Sequence, residues 1–140
     1  MSTEDNKNIV RRFLTEVVGK GDLTHLDQLL APNYRNMMTG QQGIDAFKQY
    51  IGAMHSALPD MAARIDNVVG EGDEVAARVT VTGTNTGSFM GGKPTGKAVT
   101  VRLISYFHLS NGRIVEDDPI PNQDLMQLLG AKTETMESRV

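Results

Sequence analysis

Hydrophobic positions in the first sixty residues recur at the spacing of amphipathic helices. Apolar residues repeat every three to four positions over Ile9–Val18, after a cap candidate at Ser2–Thr3 and before Gly19. A short second helix is predicted over Leu23–Leu30, because the proline that follows disfavours helical backbone in the residue before it. A third helical stripe lies between Gly40 and Pro59. The first part of the chain is therefore predicted to be helical.

From Met61 onward the apolar period changes from about 3.6 residues to 2, which is the period of a strand. Alternating segments over 61–69, 74–85, 98–109 and 113–118 are separated by turns rich in glycine. Helices followed by an antiparallel meander of three or four strands predict an α+β fold in which the sheet wraps around the helices. A strongly twisted sheet of this kind leaves a concave pocket, where small ligands bind in many proteins.

Length and composition favour one small domain. The 140 residues are predicted to form a single domain over 1–130 and a polar tail over 131–140. The absence of cysteine excludes disulfides and thiolate chemistry. A net charge of −3 without a basic stripe, few aromatic residues and no apolar run of membrane-spanning length argue against nucleic acid and membrane partners. We therefore expect a cytoplasmic protein.

Metal and nucleophile chemistry find little support in the sequence. The three histidines, His25, His55 and His108, do not pair at ligand spacing on one helix. No serine lies in the strained, glycine-flanked turn that exposes a catalytic nucleophile. The two glycine-rich loops lie between strands and lack the spacing of phosphate loops. We therefore predict no metal site and no cofactor.

Two adjacent acids, Asp117 and Asp118, interrupt the apolar last strand just before Pro119. Because side chains alternate between the faces of a strand, at most one of the two acids points inward unless a bulge intervenes. Two interpretations stay open at this point. One of the acids is a pocket carboxyl group, or both belong to the solvated end of an edge strand.

Three segments of the chain resemble a known family. They are "TGTNTGSFMGGKPTGKAVTVRLISYFHLSNGRIVED", "QQGIDAFKQYIGAMHSALPD" and "LMQLLG". They resemble the SnoaL-like polyketide cyclases, or ester cyclases, of the nuclear transport factor 2 and ketosteroid isomerase superfamily. The resemblance covers residues 5 to 130. It implies a cone-shaped α+β barrel, with the N-terminal helices packed in a curved antiparallel sheet, and a cyclase that needs no cofactor.

The family's acid position raises a problem in this chain. The resemblance implies a catalytic aspartate seven residues after Gly112, where this chain has Pro119, and a histidine seven residues before Gly112, where it has Ser105. A one-residue gap in the strand would place Asp118 at the acid position. Without a gap, Asp117 is the acid on the pocket face. Asp117 and Asp118 are therefore both predicted as catalytic candidates.

The same resemblance completes a predicted substrate-binding set. Asn36 matches a position that often holds histidine or asparagine near the family's pocket mouth, and Asn85 matches a frequent histidine before the "TG" of the loop. The predicted substrate-binding residues are Asn36, Ser105, Asn85, Phe107, Phe47 and Met54.

Two functions stay open for a chain with this pocket. The first is a cyclase-like, isomerase-like or hydratase-like enzyme that uses a carboxylate on a small hydrophobic carbonyl compound. The second is a small-molecule-binding protein that keeps the fold without the chemistry. In both cases a homodimer is expected, because the outer face of the sheet mixes apolar side chains with threonines and arginines.

Overall fold

The computed structural model describes residues 2–129, so the predicted tail at 131–140 lies outside the described residues. The helices of this part are α1 (Thr3–Arg12, continued by a π-helical segment, Phe13–Gly19), α2 (Leu26–Leu29), α3 (Ile44–Ala57) and α4 (Leu125–Leu128). The strands are β1 (Leu30–Asn36), β2 (Ala62–Glu71), β3 (Glu74–Thr84), β4 (Ala98–Ser110) and β5 (Arg113–Pro121). No helix in residues 2–129 is both long and apolar enough to cross a membrane.

Local sequence explains where the first helix begins. Ser2 and Asp5 form a capping box, in which the backbone N–H of Asp5 donates to Ser2 Oγ and the backbone N–H of Ser2 donates to Asp5 Oδ2. The cap predicted at Ser2 is therefore confirmed. The π-helical turns that follow bring Phe13, Leu14 and Val18 to one internal cavity, in keeping with the frequent use of π-helical turns near functional sites.

The strands form one sheet in the order β1-β5-β4-β3-β2. The pairs from β2 to β5 are antiparallel, whereas β1 runs parallel to β5. The predicted α+β class is confirmed. The sheet is open and not a closed barrel, and it contains one parallel strand that the sequence analysis assigned no structure.

Strand β5 departs from simple alternation at one point. Its register with β4 shifts between the pairs Leu109–Ile114 and His108–Glu116, so Val115 forms a bulge. Strict alternation along β5 would place Ile114 and Asp117 on opposite faces. The bulge turns both side chains inward, where Ile114 is 0% and Asp117 5% exposed.

The prolines of β5 continue the strand instead of ending it. Asn122 N donates to the carbonyl of Arg102 on β4, so alternation points the nitrogens of Pro119 and Pro121 away from β4. On that other side the pairing with β1 ends at Asp117. The missing N–H groups therefore remove no ladder hydrogen bond.

The core lies between the concave face of the sheet and the helices. Phe13 on the first helix packs against Phe47 on α3 with the rings tilted and their centroids 5.4 Å apart, and it meets Phe107 on β4 edge to face at 6.0 Å. Tyr34 on β1 packs edge to face on Phe47, also at 5.4 Å. These contacts close one end of the core and leave a cavity along β5.

Candidate active site

One apolar cavity lies between α3, the first helix and the inner face of the sheet. Its volume is about 80 Å³, and within the described residues no lysine, arginine or histidine lines it. The polar residues in its wall are Asn36, Tyr50, Ser105 and Asp117. The apolar residues in its wall are Phe13, Leu14, Val18, Met38, Phe47, Ile51, Met54, Met61, Val79, Val81, Val101, Leu103, Pro119 and Pro121.

Asp117 is the buried acid of this cavity. Burial in apolar surroundings raises its pKa to about 7, and the charge of Asp118 adds to the rise, while a hydrogen bond from Tyr34 lowers the pKa in part. Its Oδ1 atom is buried and has no hydrogen-bond partner within residues 2–129. At neutral pH this carboxyl group can therefore both accept and release a proton.

Tyr34 holds the other oxygen of that acid. Its phenol donates a hydrogen bond to Asp117 Oδ2 over 3.3 Å, and its side chain is only 1% exposed. Burial first, and then the negative charge of Asp117, raise the pKa of Tyr34, so the phenol stays a proton donor. Because Tyr34 binds Oδ2, the carboxyl oxygen of Asp117 that remains available is Oδ1.

Asn36 supports this arrangement from β1. Its Oδ1 atom accepts hydrogen bonds from the backbone N–H groups of Met38 (2.9 Å) and Thr39 (3.2 Å). Its backbone is the β1 partner of Asp117. Asn36, predicted to bind substrate, lies in the cavity wall, but its amide oxygen is already occupied in holding the loop.

Tyr50 and Ser105 present hydroxyl groups to the same space. Within residues 2–129 neither side chain has a protein hydrogen-bond partner. Burial, and then the charge of Asp117, raise the pKa of Tyr50 to about 12. Tyr50 is thus a protonated phenol within the electrostatic reach of the acid.

Asp118 lies on the opposite face of β5 from the cavity. It pairs across the sheet with Tyr106, whose side chain is exposed, whereas Asp117 pairs with the buried Phe107. The expectation that at most one acid points inward is confirmed, and that acid is Asp117. A one-residue gap that would bring Asp118 to the pocket face is wrong for this chain.

Pro119, at the position where the resemblance implies an acid, also lines the cavity. It lies two residues beyond Asp117 on the same face of β5 and pairs with Ser105 on β4. Two residues of strand span about 7 Å. The carboxyl group of this chain is therefore displaced along one wall of the cavity.

Asn85 lies outside the cavity and is committed to a loop. Its Nδ2 donates to the carbonyls of Ala57 (3.3 Å) and Gly87 (2.9 Å), and its Oδ1 accepts from the N–H of Thr95 (3.0 Å). The amide thus joins the loop between β3 and β4 to the end of α3. The structure assigns it a structural role in place of the predicted contact with substrate.

The apolar members of the predicted set divide in the same way. Phe47 and Met54, which lie on the inward stripe of α3, both line the cavity. Phe107 is fully buried behind Phe13 and does not reach the cavity. Phe107 does lie on the inner face of β4, as predicted, but it packs in the core and does not line the cavity.

Tyr34 and Tyr50 are the polar groups that the sequence analysis missed. Tyr34 lies two residues before Asn36 on the same face of β1, so recognition of that strand would have revealed it. Tyr50 lies between Phe47 and Met54 on the stripe of α3, where it reads as an ordinary core residue.

Two of the three histidines, His55 and His108, are engaged elsewhere. His55 Nε2 lies 2.9 Å from the carbonyl of Val18, and His108 Nδ1 lies 2.9 Å from Glu74 Oε1. Within residues 2–129 no cluster of three histidine, aspartate or glutamate side chains could hold a metal ion. The chemistry of the cavity therefore rests on one carboxyl group and on hydroxyl donors.

The chain is similar to a known protein family and to several solved structures. The family model described as SnoaL-like polyketide cyclase matches residues 8–129. TsrD from Streptomyces laurentii is 28% identical with a TM-score of 0.80, and the match covers 94% of this chain and 99% of TsrD. IdmH from Streptomyces antibioticus, a candidate polyketide cyclase, is 26% identical with a TM-score of 0.71, covering 84% of this chain and 91% of IdmH.

A third solved structure shows a likeness in fold alone. AclR from Streptomyces galilaeus, a candidate hydroxylase, is 24% identical with a TM-score of 0.76, and the match covers 99% of this chain and 95% of AclR. Among curated proteins none matches the chain.

Proposed function

Because this chain belongs to the SnoaL-like polyketide cyclase family, we propose that it catalyses a cyclase-like proton transfer on a small hydrophobic carbonyl compound, with Asp117 as the acid and base. The observation that carries this proposal is the Asp117 carboxyl group itself. It is buried in an apolar cavity, its pKa is raised to about 7, and its Oδ1 atom has no partner. A general base works best when its pKa lies near the working pH.

The reaction begins at a carbon next to a carbonyl group. Asp117 Oδ1 takes a proton from that carbon, and the electron pair of the broken C–H bond forms an enolate. The enolate then attacks a second carbonyl of the same molecule, which closes a ring, or it takes the proton back at another carbon, which isomerises the compound. The aldol and isomerisation branches share the first step.

The size of the cavity supports a small substrate. A volume of about 80 Å³ is less than the roughly 150 Å³ that accommodates benzene in an apolar protein cavity. The methionines Met38, Met54 and Met61 form part of the wall, and methionine side chains change shape readily. We therefore expect the site to take one small ring or chain, with room gained by rotation of these methionines.

The pH dependence of proton abstraction tests the proposal. We expect the protein to accelerate exchange of cyclohexanone α-hydrogens for deuterium in heavy water, followed by proton NMR. Because the carboxylate form of Asp117 is the base, the rate should rise through a pKa of about 7 and level off above it. A rate that does not depend on pH across this range would contradict the proposal.

Tyr34→Phe provides the matched variant for this profile. The Tyr34 hydrogen bond lowers the pKa of Asp117, so its removal should move the midpoint of the profile to higher pH. Tyr106→Phe removes an exposed phenol from the outer face and should leave the midpoint unchanged.

We further propose that the chain forms a homodimer through the outer face of the sheet. Ile104 and Ile120 are cross-strand partners on β4 and β5 and are 54% and 62% exposed, beside the exposed Tyr106. Arg102 and Asp118 flank this cluster, so the face carries both charges and can complement a second copy of itself. The cytoplasmic location also stays a prediction.

Ile104→Asp should convert the dimer to a monomer, because it places an unpaired charge at the centre of the apolar cluster. Size-exclusion chromatography with light scattering measures the mass directly. Met90→Asp introduces the same charge at an exposed apolar position of the loop between β3 and β4 and should leave the mass unchanged. A wild-type protein that is monomeric at high concentration would contradict the dimer.

A further inference from the structure

Two complementary polar groups face the cavity without protein partners. Asp117 Oδ1 is a hydrogen-bond acceptor that nothing in the described chain occupies. The Tyr50 phenol is a hydrogen-bond donor that likewise has no partner in the described chain. The other polar groups nearby differ, because Tyr34 is bonded to Asp117 Oδ2 and Asn36 is bonded to its loop. The cavity thus offers one free base and few free donors.

Tyr50 lines the same cavity as Asp117. Tyr50 lies on α3 between Phe47 and Met54, and both of these residues line the same cavity. The negative charge of Asp117 raises the pKa of Tyr50, so the two groups interact across this space. With its pKa raised to about 12 the phenol keeps its proton at neutral pH and can donate it in a hydrogen bond.

Ser105 is the other hydroxyl without a partner, and it is a weaker candidate. A developing enolate oxygen is stabilised most by a donor that is itself acidic and fixed in place before the reaction. A phenol is a far stronger acid than an aliphatic hydroxyl. Ser105 lies beside Pro119 on the β4 wall, whereas Tyr50 senses the charge of Asp117 directly.

We propose that Tyr50 is the catalytic hydrogen-bond donor that holds the substrate's carbonyl oxygen while negative charge develops on it. This inference rests on the proposed proton transfer by Asp117. It also fixes the orientation of the substrate, with the carbonyl oxygen toward α3 and the acidic C–H bond toward β5. The substrate class is a neutral carbonyl compound, because the described cavity wall offers no cation to a charged one.

The step balances without a further reactant. The C–H bond next to the carbonyl breaks, and its proton passes to Asp117 Oδ1. The C–H electron pair becomes the carbon–carbon double bond of the enolate, and the carbonyl π pair moves to the oxygen, which accepts the Tyr50 hydrogen bond. The proton on Asp117 then returns to carbon in an isomerisation, or to the new alkoxide in an aldol closure, which restores the carboxylate.

Tyr50→Phe tests this role in the isomerisation of β,γ-unsaturated cyclohexenone to its conjugated isomer, followed by ultraviolet absorbance. Loss of one oxyanion donor should lower kcat by about a hundred-fold. KM should change little, because the lost hydrogen bond strengthens mainly in the transition state. Ser105→Ala is the matched comparison and should cost much less, and circular dichroism checks that each variant is folded.

Binding of p-nitrophenol gives a second readout that does not require turnover. In the Asp117→Asn background, whose neutral side chain resembles protonated Asp117, Tyr50 should favour the yellow phenolate and lower the pKa of the bound phenol. Adding Tyr50→Phe should abolish this spectral shift.

The two readouts separate the possible failures. If wild-type protein isomerises cyclohexenone and Tyr50→Phe does so equally fast, the role of Tyr50 is wrong and the proposed function stands. If wild-type protein has no activity, the proposed function fails. In that case a phenolate shift that depends on Tyr50 still supports an oxyanion site, and a shift that survives Tyr50→Phe overturns it.

Discussion

Asp117→Asn is expected to lower the rate of cyclohexanone exchange by about a hundred- to ten-thousand-fold, the usual contribution of a general base. Asparagine keeps the shape of the side chain and can still accept the Tyr34 hydrogen bond, so the cavity should survive. It cannot take a proton near neutral pH. The NMR assay described above measures the loss.

Asp118→Asn is the matched control for this substitution. It removes the same charge from the adjacent residue, but on the outer face of β5. Its rate should stay close to that of the wild type, with only a small fall in the midpoint of the pH profile, because the charge of Asp118 raises the pKa of Asp117 slightly.

A second test moves the acid along the cavity wall. Pro119 lies on the same face of β5 as Asp117, at the position where the resemblance implies an acid. Asp117→Asn combined with Pro119→Asp therefore restores a carboxyl group about 7 Å away. Partial recovery of exchange would show that the cavity as a whole supports the chemistry. If Asp117→Asn itself catalyses cyclohexanone exchange as fast as wild type, the second of the two functions, a small-molecule-binding protein without catalysis, becomes the better one.

The sequence predicted most of the fold because most of its elements have clear periods. Strands β2 to β4 alternate over most of their length, apart from a bulge at Asp66 in β2, and consecutive strands pair antiparallel. Strand β1 escaped because it is short, contains Pro32, and pairs in parallel with β5, which lies some eighty residues further along the chain. Periodicity within a segment carries no information about such a distant partner.

The candidate site was predicted in part for the same reason. Alternation alone indicated that Asp117 and Asp118 point to opposite faces, and the structure confirms it. It could not indicate which acid points inward, because the bulge at Val115 resets the alternation just upstream. Tyr34 stayed hidden with its strand, and Asn85 was assigned to the pocket by family position although its amide is consumed by a loop.

The burial that prepares Asp117 for catalysis also makes the folded state sensitive to pH. In the unfolded chain its pKa is near 3.8, and in the folded protein burial raises it to about 7. Between these values the folded state binds more protons than the unfolded state, so stability falls as pH rises. Below this window the acid is protonated in both states and costs nothing, and above it the charged group is buried at a cost on the order of a few kcal/mol.

Asp117→Asn should therefore stabilise the protein above about pH 7 by a few kcal/mol and change its stability little near pH 4. Urea unfolding of wild type and Asp117→Asn across this pH range measures the difference in their free energies of unfolding. The lowered pKa values of Asp60 and Asp66 also make stability depend on pH, but this effect cancels in the difference because both proteins share it. Asp118→Asn should follow the wild-type curve closely. A constant difference between wild type and Asp117→Asn at every pH would mean that Asp117 is not buried in its charged form. A difference that widens with pH while exchange is lost would show that one desolvated carboxyl group both destabilises the fold and enables the chemistry.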